Sequence, residues 1–170
     1  MKSIERTFIV VKTFVAVAAS AFLLSVAATP AAAQNVRWHH IIGIKQAGNM
    51  VGNIMGGGQP WSASGGHARV DLATGNMEFE VHGLVLAGGG TIGTPGAVDK
   101  VMGTLVCGAA SSATPVAISS PAVPLSLQGE AFFFGNIGTI PTTCNTSNVA
   151  FLIEIPAGRW IANGAVITSP

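Results

Sequence analysis

The side chains with the widest chemical reach in this sequence are its histidines and carboxylates, and several of them cluster. There are four histidines, His39, His40, His67 and His82. His67 opens a stretch in which Ala68, Val70 and Leu72 alternate with His67, Arg69 and Asp71. After Thr74-Gly75 the alternation resumes, with Met77, Phe79 and Val81 set against Glu78, Glu80 and His82. Such alternation describes an antiparallel hairpin with one apolar and one polar face. Pairing Leu72 with Met77, Val70 with Phe79 and Ala68 with Val81 keeps the apolar set together, whereas a one-residue slip mixes the faces. That register sets His67 directly opposite His82, with β-carbons about 4.5–5.5 Å apart. Two imidazoles so placed can share a Zn²⁺ or Cu²⁺ ion at ~2.0–2.1 Å each. Glu80, one step along the same face, is the third candidate ligand. His39 or His40 could complete the shell, but not both from one regular strand, because neighbours point opposite ways. The plainer reading is a solvated histidine pair. It has its own consequence: two protonated imidazoles repel, so mild acid weakens the hairpin. The same register pairs Arg69 with Glu80, which is favourable, and Asp71 with Glu78, which is not.

Other chemistry-bearing patterns are weaker. Asp71, Glu78 and Glu80 form an acidic cluster compatible with carboxylate-pair hydrolysis or Ca²⁺, and equally with a solvated sheet face. Gly88, Gly90 and Gly93 spell GxGxxG, but Thr94-Pro95-Gly96 follows as a turn, where a dinucleotide site needs a helix N-terminus. A glycine-rich loop at the end of a sheet can still bind, and Gly88, Gly89, Gly90 and Thr91 are the candidate loop residues. There is no GxSxG elbow and no glycine loop ending in Gly-Lys-Ser/Thr. Trp38, Trp61 and Trp160 could form a carbohydrate platform or simply fill the core. Asn145-Thr146-Ser147 is a glycosylation sequon in spelling only.

The elements that must position these residues are strands. Glycine or proline recurs every few residues, and no amphipathic stretch of a dozen residues runs uninterrupted. Beyond the hairpin, strands are expected at residues 36–44, 49–55, 98–107, 130–137 and 149–155. Residues 159–162 and 165–168 read as a terminal hairpin turning at Asn163-Gly164. Residues 87–96 read as a flexible loop and 111–124 as an irregular or edge segment. Phe132, Phe133 and Phe134 alternate faces, which marks their strand as central or covered. Eight or nine short strands with turn signals between them mean an all-β chain, a single antiparallel β-sandwich with a barrel as the alternative.

The opening stretch reads as an export signal. Lys2, Arg6 and Lys12 precede an apolar run that ends in Pro30-Ala31-Ala32-Ala33, so 1–33 reads as a signal peptide cleaved before Gln34. Of 170 residues this leaves 137 as one domain, 34–170. That domain holds five basic residues against six acidic ones, a net charge of −1, and all 22 glycines; the chain has no tyrosine. The charge balance excludes a nucleic-acid surface built on basicity and a polybasic membrane patch. Cys107 and Cys144 both lie in the exported part, where an oxidising compartment favours a structural disulfide.

The run from Gly66-His67-Ala68-Arg69-Val70-Asp71-Leu72 through Gly75-Asn76-Met77-Glu78-Phe79-Glu80-Val81-His82-Gly83-Leu84 resembles the core of CHRD (chordin-like) domains in exported bacterial proteins. It covers about a fifth of the chain. Where such domains carry a His-x-His pair, this chain has Val85-Leu86-Ala87-Gly88. The resemblance implies an extracellular β-sandwich. Residues and resemblance together lead to one expectation: a secreted or periplasmic, non-catalytic structural or binding module, with self-association or a cell-surface component as partner. The rival is a small Zn or Cu protein using His67, His82 and Glu80, and after it an exported hydrolase with an unrecognised site.

Overall fold

A computed structural model describes residues 34–109 and 114–168. The expected signal peptide lies outside the described residues. The strands are β1 (Asn35–Gly43), β2 (Met50–Val51), β3 (Ile54–Met55), β4 (Trp61–Ser62), β5 (Gly65–Asp71), β6 (Asn76–His82) and β7 (Val85–Leu86). They continue with β8 (Lys100–Cys107), β9 (Val116–Ser119), β10 (Val123–Pro124), β11 (Ala131–Asn136), β12 (Val149–Ile155) and β13 (Arg159–Thr168). The chain is all-β. One antiparallel sheet runs β10-β8-β12-β13-β1-β5-β6-β11, with β9 also on β8, and β2-β3 and β4-β7 form two small pairs.

The large sheet curls until β8 lies over β6. A Cβ on Gly103 of β8 would stand 2.6 Å from the Phe79 ring of β6. Glycine there allows the two arms of the curl to approach. Between them lies a fully buried core in which Trp38 meets Phe151 at 5.5 Å and Phe151 meets Phe79 at 5.8 Å between ring centroids. The turn after β10 closes the curl, with Leu125 N–H donating to Asp99 O and Leu84 N–H to Gly129 O. The result lies between the sandwich and the barrel that the strand count suggests. Segment 44–58, with β2 and β3, lies over the back of β8 and β13: a Cβ on Gly52 would touch Val106, and Trp160 Nε1 donates to Asn49 O.

Three expected elements differ. Asn163-Gly164 is no turn: β13 runs straight through it, pairing Asn163 with both Leu152 and Ile42, and Gly164 with Ile41. Gly164 is small because Trp38 lies on it; a Cβ there would come within 2.5 Å of the indole. The chain turns at Pro156–Gly158 instead, where Gly158 takes φ 75° and its N–H donates to Ile155 O. Residues 49–55 are two short strands around Gly52, not one. The Phe132–Phe134 strand, β11, is terminal in the sheet rather than central. Only Phe133 packs inward, 6.0 Å from Phe79, while Phe132 and Phe134 are exposed.

Candidate functional site

The hairpin forms, with its faces as expected, but two residues out of the expected register. Val70 pairs with Met77, Ala68 with Phe79, Arg69 with Glu78 and His67 with Glu80. A two-residue shift preserves parity, so Ala68, Val70, Met77, Phe79 and Val81 still reach the core. The turn decides the register. The Asp71 carboxylate accepts from the N–H groups of Ala73 and Thr74, and Gly75 N–H donates to Asp71 O at φ 75°. A Cβ on Gly75 would strike Gly138 O. Asp71 therefore caps the turn, and the unfavourable Asp71–Glu78 pair does not form. Burial alone would raise its pKa, but the Ala73 and Thr74 N–H groups, a further hydrogen bond from the Thr74 side chain and the Arg69 charge outweigh it and hold it below its usual value.

His67 and His82 are consequently not opposite each other; His82 pairs with Gly65. Glu80 stands between the two imidazoles, 3.9 Å from His67 Nδ1 and 3.2 Å from His82 Nε2. Glu78 extends the row to His67 Nε2 at 3.9 Å, and Glu130 meets His82 Nδ1 at 2.5 Å while accepting from Gly83 N–H. The hydrogen bond to Glu130 raises the His82 pKa, which desolvation opposes and the charges of Glu130 and Glu80 support. The His82 hydrogen bond lowers Glu130 in return, with help from Gly83 N–H. Protonation of His82 is therefore favoured, which reverses the expected acid lability of the hairpin. An imidazole with carboxylates at both nitrogens favours the imidazolium, whereas a metal needs a neutral ring nitrogen. Among the described residues no three His, Cys, Asp or Glu side chains converge as metal ligands. His39 and His40 are both exposed, because the alternation of β1 slips there; pairing with β5 ends at Trp38–Ala68, one step before His39.

The concave site lies elsewhere, where the loops gather at one end of the curl. A cavity of about 530 Å³ is walled by Trp61, Leu86, Pro95, Val98, Ile155 and Ile161. The glycine-rich segment supplies one side of it, folded as a series of hydrogen-bonded turns. Leu86 N–H donates to Thr94 O, Gly93 N–H to Leu86 O, and the Thr94 hydroxyl to Thr91 O. Gly89, Gly93 and Gly96 take left-handed φ of 84°, 82° and 61°. The GxGxxG spelling thus encodes turns, and no helix follows it. Of the candidate loop residues, Thr91 lines the cavity and Gly88 packs toward Pro60. Arg159, at the start of β13, lies on the rim, where its Nη1 donates to Gly56 O at 3.4 Å.

The tryptophans do not form a platform. Trp38 is in the core, Trp160 lies under segment 44–58, and only Trp61 reaches the cavity. Cys107 and Cys144 are bonded, with Cα atoms 5.0 Å apart, a pairing compatible with an oxidising, exported location. Sequence reasoning passed over three residues: Arg159, Glu130 and the buried Glu154. Their neighbours offered small signals. Glu130 sits one residue before β11, and Glu154 is a lone acid in the apolar run of β12. Searches against protein-family models, curated proteins and solved structures return no match.

Proposed function

We propose that this chain is an exported, non-catalytic binding module whose binding end is the loop-built cavity beside Arg159. The cavity carries the reading. Its volume falls within the roughly 300–1,000 Å³ of small-molecule pockets, and it combines apolar walls with few polar groups, Gln59, Thr91, Thr94 and Arg159. The His-Glu row lies outside this cavity, on a sheet face with side chains 37–49% exposed. The basic-apolar-small pattern of residues 1–33 and the Cys107–Cys144 bridge support export to the periplasm or medium. The chordin-like hairpin fits the same reading.

The test is binding of the neutral apolar fluorophore N-phenyl-1-naphthylamine to protein expressed from the full chain under oxidising conditions. Gly58→Trp is the blocking variant. Gly58 lines the cavity, has no positive φ, and a Cβ there meets nothing within 4 Å. Saturable binding that Gly58→Trp abolishes supports the reading. Binding indifferent to Gly58→Trp overturns it, as does a failure of both this dye and its 8-sulfonate counterpart to bind.

A further inference from the structure

We infer that the cavity takes a small amphipathic acid: an apolar body with a single anionic head seated on Arg159. The inference rests on the binding reading above and adds the ligand class to it. Among the described residues that line the cavity, Arg159 is the only formally charged one. Among the described residues no carboxylate lies within 4.0 Å of its guanidinium. The backbone bond to Gly56 O occupies one N–H group and lays the side chain along the Gly56–Gly58 rim. A guanidinium has five donors in a rigid fork that matches the two oxygens of a carboxylate or the three of a sulfonate. Arg159 is exposed at the rim, and a neutral apolar ligand laid against it would displace part of its hydration and give nothing back. A dianion would leave one charge uncompensated. The loop side offers only uncharged groups. The Thr94 hydroxyl donates to Thr91 O and accepts from Gly96 N–H, and Gln59 reaches toward Gly89. One cation against an apolar wall therefore selects one negative charge on an apolar body.

Two probes share a body and differ in the head. 8-Anilinonaphthalene-1-sulfonate carries an anion, and N-phenyl-1-naphthylamine does not. The sulfonate is expected to bind about tenfold or more tightly than the neutral probe, the yield of a charge-assisted hydrogen bond. Arg159→Gln should remove that advantage, weakening the sulfonate while relieving the neutral probe of the cost of covering a cation, and Arg159→Lys should retain part of it. Phe132→Ser with Phe134→Ser removes the exposed aromatic strip of β11 as a rival surface and should change neither affinity. Equal affinity for both probes, or a sulfonate preference that survives Arg159→Gln, overturns the head-group assignment while leaving the cavity reading intact. Indifference of both probes to Gly58→Trp sinks the cavity reading itself.

Discussion

Replacing Glu154 with methionine should stabilise the protein, with a characteristic pH dependence. Glu154 is 5% exposed on β12, paired across to Met102 on one side and Trp160 on the other. Its Oε1 has no hydrogen-bond partner, and burial raises its pKa against the opposing pull of the Thr104 hydroxyl. A buried polar group left unpaired costs about 1–3 kcal/mol. Methionine keeps the length and most of the volume while removing that cost. Unfolding entropy runs at roughly 2.1 cal/mol/K per residue, so the 137 residues following residue 33 give about 0.29 kcal/mol/K. A gain of 1–3 kcal/mol then raises Tm by about 3–10 °C. The sign with pH follows from linkage. A carboxyl with a raised folded pKa contributes stability that is intact below its ordinary 4.5 and is lost as the pH climbs through the folded value. Wild type should therefore lose ground to Glu154→Met as the pH rises from 4.5, and the gap should shrink on acidification. Calorimetric Tm values for both proteins from pH 4 to 8 measure this. A variant less stable than wild type at pH 7, or a gap that does not narrow toward pH 4.5, refutes the reasoning.

The His82–Glu130 pair should contribute most between pH 4.5 and 6.5. The raised His82 gives stability present below 6.5 and lost as the pH rises through its folded pKa; the lowered Glu130 gives stability present above 4.5 and lost as the pH falls through its own. Both side chains are nearly half exposed, so screening limits the pair to about 0.5–1 kcal/mol; Glu130→Gln should lower Tm at pH 5.5 more than at pH 9, and an equal loss at both counts against the pair. Cys107→Ala with Cys144→Ala should cost about 4 kcal/mol on the chain-entropy model for a separation of 37 residues, read as the loss of guanidinium midpoint; an unchanged midpoint rejects that account.

Where one face is buried, the sequence was readable, because burial leaves a period. The hairpin faces, the all-β class and the inward residues of β5 and β6 all follow from alternation, and a two-residue error in register could not disturb them. What failed is what alternation does not encode. The register hung on Asp71 as a turn cap, a local backbone competition that polar patterning cannot distinguish from a surface acid. Asn163-Gly164 spells a tight turn, but β1 and β12 pair across it and Trp38 needs the missing side chain. The Phe132–Phe134 run spells a covered strand, and only the topology shows that among the described residues no strand pairs beyond β11.

The site was hidden for a related reason. Its parts come from four separate stretches of the chain: 57–61, Leu86, the 91–98 loop, and the ends of β12 and β13. None of these carries a motif, because an apolar wall with one cation needs no fixed spacing. The histidines attracted notice because their residue type suggests chemistry, yet the fold gives His67 and His82 carboxylate neighbours on an open sheet face. Arg159 attracted none. It gains its meaning from the turn at Pro156–Gly158, which begins β13 at this residue, from Gly56, whose carbonyl holds its guanidinium, and from Gly58, beside which a Cβ would meet nothing within 4 Å. Gly57, Gly58 and the left-handed turns of the 87–96 loop are one use of the glycine-rich composition: they build the mouth of the cavity.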